Sequence, residues 1–384
     1  MKGMIFNGIG YNNFDLHPEN WQDIRDIVAR GIGKRAFPVG TQIEDDWTAT
    51  NGTKYTAPWD VVHFPTNREM ILKWHYAFPD AVAFDAPEAI AYAAQEIPAG
   101  TYHIPITAGY GTGWVAGQSI QFTLSKAVPA GGQIYVDCAI NNATNPTAGR
   151  TLTTYATKGS TTVLETTTTS NGTGGTSLGT ANSQVSTNGV VNAIQRVVYG
   201  YGRWSQGAIR QYLNSAEPKN QWWTPQNPWD RPPAQAASLD GFLSGFSGDF
   251  LSVLQEEPVV TAIHNGEATP VDRETTMDKI WLPSLDETYI TPQLAGAEGQ
   301  PWEYYETLAE EAGLPGRFAQ GGTYPELISY NLVNHTSAVN VWLRSASRGN
   351  ACNAWCISST GNVSGSSACN AIRGGPACKI RAEA

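Results

Sequence analysis

Charge, methionine and long apolar runs are what this sequence lacks. Only 15% of the 384 residues are charged. No window approaches the roughly 18 uninterrupted apolar residues that a bilayer-crossing helix needs, so no transmembrane span and no membrane insertion are expected. The opening MKGMIFNGIGYNNFDLHPENW carries one Lys but no apolar core or small-residue cleavage site, so no secretory signal is expected. Acids outnumber bases, giving a net charge of −10 and a pI near 5.1. Nucleic acid and anionic membrane both require a basic footprint, which argues against either as the main partner.

Signatures of chemistry are equally scarce. Cys352, Cys356, Cys369 and Cys378 are separated by 4, 13 and 9 residues, without the two-residue knuckle that lets one turn present two thiolates to zinc. His17, His63, His75, His103, His264 and His335 form no ligand-spaced set, and there is no Gly-rich phosphate loop. Glu256/Glu257 and Asp286/Glu287 are the obvious carboxylate clusters, but neighbouring acids point different ways in helix or strand. No metal, no cofactor and no catalytic residue are therefore expected.

A local absence is sharper. Between Ala346 and Asn370 there is no Asp, Glu, Lys, Gln or Met; the run is Ser, Asn, Gly, Ala and Cys with a few larger residues. Such composition suits a flexible linker. Against that reading, Trp342, Trp355, Ile357, Val363 and Ile372 recur through it as anchors. Val341–Trp342–Leu343–Arg344 reads as a strand before the run, and Ala371–Ile372–Arg373 and Ala377–Cys378–Lys379–Ile380 read as strands after it, around a Gly374–Gly375–Pro376 turn. Short side chains on fixed backbone make an adaptable binding surface.

The pattern WLRS, a small-residue run, GNV and then IRGGPACKI resembles the variable region of phage and prophage proteins diversified by retroelements. In that family an error-prone reverse transcriptase randomises adenines, so Asn codons reach most residues but not Lys, Glu, Gln, Met or Trp. The missing first four fit; Trp355 departs from the rule and is expected to be fixed framework. The resemblance covers about 35–95 and 191–384, most strongly 341–380. It implies a C-type-lectin fold displaying Ser347, Arg348, Gly349, Asn350, Ala351, Cys352, Asn353, Cys356, Ser358, Ser359, Ser364, Gly365, Ser366, Ser367, Cys369 and Asn370 to ligand. Trp342, Trp355, Ile357, Val363 and Ile372 would be the scaffold.

The rest of the chain fits around this. Glu19 to Gly31 has a helix signature, with Pro18 at entry and Trp21, Ile24, Ile27 and Val28 on one face. Phe37–Ile43 and Pro58–Phe64 alternate as a hairpin, joined by an acidic turn and Asn51–Gly52. Met70 to Ala94 is expected to be partly helical, with Trp74 and Tyr76 in the core. Residues 96–190 form a β-rich insertion in which the Pro-Ala-Gly turns at 98–100 and 129–131 each feed a strand of one sandwich-like subdomain. A helix capped by Ser205, one from Phe242 to Leu254 and another from Trp302 to Ala312 follow. Thirteen Trp suit either an aromatic core or a sugar-binding surface, the latter through Trp222, Trp223 and Trp229.

The expected molecule is α+β: an N-terminal helical segment (1–35), a C-type-lectin domain in two parts (36–95 and 191–384) and the insertion (96–190). Its expected task is recognition of a host-surface protein or glycan by a phage or prophage adhesin, carried on a virion or exposed to the host after release. Phage fibres suggest a homotrimer. Two other readings stay open: an oxidase resembling formylglycine-generating enzymes, using Cys352 and Cys356, and a carbohydrate-binding module.

Overall fold

The computed structural model describes residues 18–89, 91–105, 119–136, 152–157, 160–164, 168–170, 175–177, 196, 199–227, 229–264 and 272–382. The architecture is α+β, mostly strands with short helices. The first helix, Trp21–Ala29, starts where the Asn20 side chain accepts from the Asp23 amide, and it buries Trp21, Ile24, Ile27 and Val28 as its spacing requires. It packs on the Gly248–Val253 helix of the same chain, with Trp21 edge-on to Phe250 at 4.7 Å.

A four-stranded antiparallel sheet brings the two ends of the domain together, in the order Gln42–Thr48, Lys54–Thr66, Glu69–Trp74 and Ala377–Arg381. The first two strands make the expected hairpin, though the first begins at Gln42 rather than Phe37. Glu44–Asp45–Asp46, expected as a turn, lies inside it because Ile43 and Trp47 must both reach the core. Asp45 shares their side of the pleat, and burial pushes its carboxyl up to about 6. The expected helix after Met70 is also corrected: Glu69–Trp74 is a strand paired on both edges, and the chain continues irregularly to a short strand at Val82–Ala83. Met70, Ile71, Leu72 and Trp74 are buried on both faces, which erases the alternation that marks a half-exposed strand. Trp74 is core as expected, whereas Tyr76 is half-buried and stacks on His335 at 4.1 Å.

The second main sheet has five strands, in the order Val363–Ser367, Asn353–Ile357, Val341–Ala346, Ala371–Gly374 and Val82–Ala83. Under the first sheet Trp47, Trp59, Trp74, Phe242, Phe246 and Phe250 form a chain of ring contacts, with Trp74–Phe242 at 5.0 Å and Phe246–Phe250 at 4.7 Å. Trp222 and Trp223 are buried too and Trp229 is half-buried, so the sugar-stacking platform is not formed. Two helix expectations shorten. Trp204–Gln206 is a 3-10 turn ahead of Ala208–Leu213, and Ser205 donates to Glu274 instead of capping. Phe242–Gly245 is likewise 3-10, separated from Gly248–Val253. Glu303–Glu311 is helical with Trp302 at its N-cap.

Among the described residues the insertion builds one four-stranded sheet of its own and three strands of a second, whose fourth strand is Ala91–Tyr92 just before it. The two strands of the internal echo, Gly100–Pro105 and Gln133–Val136, fall in different sheets, joined near their turns by an Ile97–Val128 bridge. The rest of the insertion, beyond the ranges given above, lies outside the described residues.

Candidate functional site: the terminal face

The site rests on one wholly buried strand. Every residue of Val341–Ala346 is buried. The Trp342 ring meets Phe84 edge-on at 5.6 Å and donates its Nε1–H to the Val82 carbonyl at 3.2 Å. Arg344 forks onto both oxygens of Glu287 and donates to the carbonyls of Leu282, Val260 and Glu298 at 2.9, 3.2 and 2.7 Å. Beside it the Ser345 hydroxyl donates to Glu298 Oε2 at 2.6 Å and accepts from the Leu285 amide. Burial pushes the Glu298 carboxyl up to about 7 and raises Glu287 as well, although Arg344 pulls both the other way. This polar network was invisible in the sequence, where Arg344 reads as the end of an apolar strand; its partners lie 46 and 57 positions away.

The Ser347–Cys352 loop is fastened by its main chain. His264 Nδ1 donates to the Ser347 carbonyl at 2.9 Å, and the Arg348 amide donates to Gln293 Oε1 at 2.7 Å. The Gly202 amide donates to the Ala351 carbonyl at 2.8 Å, and a Cβ on Gly202 would come within 2.2 Å of the Asn353 carbonyl oxygen. Burial holds the His264 pKa down at about 3, so its ring is neutral and carries the donated proton on Nδ1. Arg348 turns its guanidinium back onto the Ile263 and Asp272 carbonyls, 2.8 and 3.1 Å away. Its half-buried side chain therefore braces the loop.

The Asn353–Ile357 and Val363–Ser367 strands pair in a register that sets Asn353 opposite Ser367, Trp355 opposite Gly365 and Ile357 opposite Val363. Trp355 donates its Nε1–H to Gln293 Oε1 at 3.3 Å, so a single exposed glutamine holds both the loop and the strand. At the far end, Ser358–Asn362 is a tight turn in which Gly361, with φ at +82°, lies so close that a Cβ would be 2.1 Å from the Tyr324 carbonyl oxygen. Asn362 Nδ2 donates to the Gly321 and Gly322 carbonyls at 3.2 Å.

Two accessible patches result. Ser347, Arg348, Gly349, Asn350, Asn353, Gly365, Ser366, Ser367, Cys369 and Asn370 gather at one end, joined where the Ala368 amide donates to the Cys352 carbonyl and Asn370 Nδ2 to the Ser366 hydroxyl. Ser358 and Ser359 sit at the other end of the strands, roughly 13 Å away at 3.3 Å per residue, with Ser364 between. Gly349 has nothing within 4 Å of an added Cβ, and at Gly365 the nearest atom is at 3.5 Å, so both positions accept larger residues. The scaffold residues Trp342, Trp355, Ile357, Val363 and Ile372 are all buried, as expected.

Three expected display residues are corrected: Ala351, Cys352 and Cys356 are buried, the two cysteines at 1% and 4% exposure. Ala351 packs on Tyr201, and Cys356 faces the main core from the Asn353–Ile357 strand. Cys352 Sγ lies 3.1 Å from Asn350 Oδ1 and Cys356 Sγ 3.9 Å from the Ser364 hydroxyl, so the two thiols have separate surroundings. Burial pushes Cys352 up to about 12 and Cys356 up to about 11, the reverse of nucleophile activation. Among the described residues no three His, Cys, Asp or Glu side chains are placed to hold a metal. The acid pairs are tied down as well: Asp286 to Arg317 at 3.1 Å, Glu287 to Arg344, and Glu257 to Arg381 and, at 2.9 Å, to Lys379.

The site thus defines a class by geometry: an α+β domain whose C-terminal strands return to its first sheet and carry a fastened face of small polar side chains. The family described as "Domain of unknown function (DUF6273)" matches residues 179–382, just over half of the chain, and the chain belongs to that family. The match begins at the end of the β-rich insertion and runs through the terminal face. Neither the curated proteins nor the solved structures contain a match.

Proposed function

We propose that this protein is a ligand-recognition protein that displays a variable surface, a phage or prophage adhesin of C-type-lectin fold diversified by a retroelement. The carrying observation is the division of labour at the terminal face. Half-exposed and exposed small residues occupy the outer positions of a hairpin and two loops, while partners outside the stretch, His264, Gln293 and Gly202, hold its backbone through main-chain groups that any side chain would leave intact. Exposed substitutions on such a frame typically change stability by less than about 0.5 kcal/mol. Burial of Ala351, Cys352 and Cys356 narrows the contact set to the remaining positions. Partners would be a host-surface protein or glycan.

The oxidase alternative needs an accessible, activated thiol pair, and the buried cysteines supply none. The test is to sequence the gene's neighbourhood and its population variants. A near-copy of the codons for 341–380, differing only at adenines and lying beside a reverse transcriptase, is the expected result. Variation spread evenly along the chain would overturn the reading.

A further inference from the structure

A strand at the margin of a sheet turns the N–H and C=O of every second residue outward, and folded proteins blunt such margins with charge, proline, a bulge or shortness. Three of the four margins of the two main sheets are blunted in this way. Gln42–Thr48 carries Glu44 and Asp46, Ala377–Arg381 carries Lys379 and Arg381, and Val82–Ala83 is only 2 residues long. The fourth margin, Val363–Ser367, has no charge, no proline and an unbroken register with its neighbour. Its small polar side chains leave the main chain within reach.

The hydrogen bonds fix which groups face outward. The Ser358 amide donates to the Asn362 carbonyl at 2.8 Å where the hairpin closes, so alternation turns Ser364 and Ser366 toward the neighbouring strand and Val363, Gly365 and Ser367 away from it. The bonds of Val363 agree: its amide donates to the Gly322 carbonyl at 3.0 Å, and its carbonyl accepts from the Gly321 amide at 2.8 Å. There the outer row of partners stops. The Ser367 carbonyl accepts from the Asn370 amide at 2.9 Å, but the Gly365 amide, the Gly365 carbonyl and the Ser367 amide have no partner among the described residues. Gly365 is exposed and has no side chain to screen them. A donor, an acceptor and a second donor roughly 6.6 Å further on is the spacing of an extended polypeptide. Charge narrows the choice. The chain carries −10 overall, and the only charge between Ala346 and Asn370, Arg348, is turned back onto carbonyls, so a neutral or basic segment is favoured over an acidic one.

We propose that the Val363–Ser367 edge takes an extended, neutral or basic segment of a partner protein as an added strand. The proposal rests on the terminal face being a recognition surface. Main-chain bonds at Gly365 and Ser367 would anchor the partner whatever side chains stand nearby, and the side chains of Asn350, Ser364 and Ser366 would choose among partners.

The probe is a capped peptide of alternating Thr and Val with a Lys at each end, titrated into the full isotope-labelled chain, with amide hydrogen exchange read residue by residue by NMR. In the free chain the Gly365 and Ser367 amides should exchange fast. At saturating peptide both should slow by roughly tenfold, the worth of about one hydrogen bond, while the Ser364 and Ser366 amides, already in the ladder, should change little. The same peptide N-methylated at every Thr and Val should give no protection. Gly365→Pro removes an outward N–H that the ladder does not use and should abolish the peptide's protection of Ser367; if that variant does not fold, the N-methylated peptide carries the control alone. No saturable protection, or equal protection by the N-methylated peptide, would overturn the proposal. Protection already present without peptide would overturn it too, assigning the edge to this chain's own residues if it persists on dilution and to a second copy if it fades. Gene variation confined to the codons for 341–380, with no protection by peptide, would overturn this proposal and leave the recognition reading standing.

Discussion

The Val341–Ala346 and Val363–Ser367 strands lie two positions apart in one sheet, yet they answer to opposite demands. The first is buried along its whole length and tied to the Glu287–Glu298 segment by a charged network. In the second only Val363 is buried, and Gly365 is exposed with space beyond it. Sheet position, more than amino-acid type, separates frame from display: a central strand has neighbours on both edges and layers on both faces, whereas an edge strand must be managed with small polar residues. The proposed display of a variable surface would need both kinds of strand side by side.

The comparison is tested most severely on the buried strand. Trp342→Ala should lose about 3–5 kcal/mol, the usual range for truncating a buried aromatic. Arg344→Ala should cost a similar amount, about 3–5 kcal/mol, because it strips the buried Glu287 of its counter-charge. Chemical denaturation measures both, and losses below about 1 kcal/mol would mean that the strand is not the frame.

The same network sets a pH dependence. The Glu298 carboxyl stands at about 7 in the fold against 4.5 for a free glutamate. Between those values the folded chain keeps a proton that the unfolded chain has lost. The stabilisation is thus complete below about 4.5 and is lost as pH rises through about 7, amounting to on the order of 3 kcal/mol. Glu298→Gln should flatten the slope of stability against pH in that window; an unchanged slope would show that Glu298 does not hold the proton.

Gln293 sharpens the comparison, since it joins the loop to the hairpin. Gln293→Ala should leave unfolding stability within about 1 kcal/mol while speeding hydrogen exchange at the Arg348 amide, and Gln293→Glu, which keeps the acceptor, should restore protection. Equal exchange in all three proteins would remove Gln293 from the frame.

The smallest effects belong to the display strand and its loops. Gly349→Ser, Gly365→Ser and bulky replacements of Asn350 or Ser366 should shift stability by less than about 0.5 kcal/mol. Gly361→Ala, a few residues away, should cost more than about 1 kcal/mol because its backbone is left-handed and pressed on Tyr324. Thermal unfolding of the series separates them, and a uniform loss would erase the distinction between frame and display.

Much of this was legible in the chain. Periodicity placed the Trp21–Ala29 helix and its buried face, and the anchors Trp342, Trp355, Ile357, Val363 and Ile372 were picked out because large apolar residues in a polar run have few reasons to be there. Local patterns failed where burial was two-sided. Glu69–Trp74 looked helical because both its faces are covered, and Cys352 and Cys356 looked displayed because small residues suit an exposed loop and a crowded interior equally well.

Sequence alone therefore determined the α+β composition, the recurrent anchors and the small polar character of the terminal stretch, since these follow from local periodicity and side-chain size. Only the tertiary structure decided which of those small residues reach solvent, that Arg344 is a buried keystone bonded to Glu287 and Glu298, and that His264, Gln293 and Gly202 hold the loop. The physical reason is range. Hydrophobic period is written within a few residues, whereas a hydrogen bond between Arg344 and Glu287 joins positions 57 apart and exists only once the sheets have closed around it.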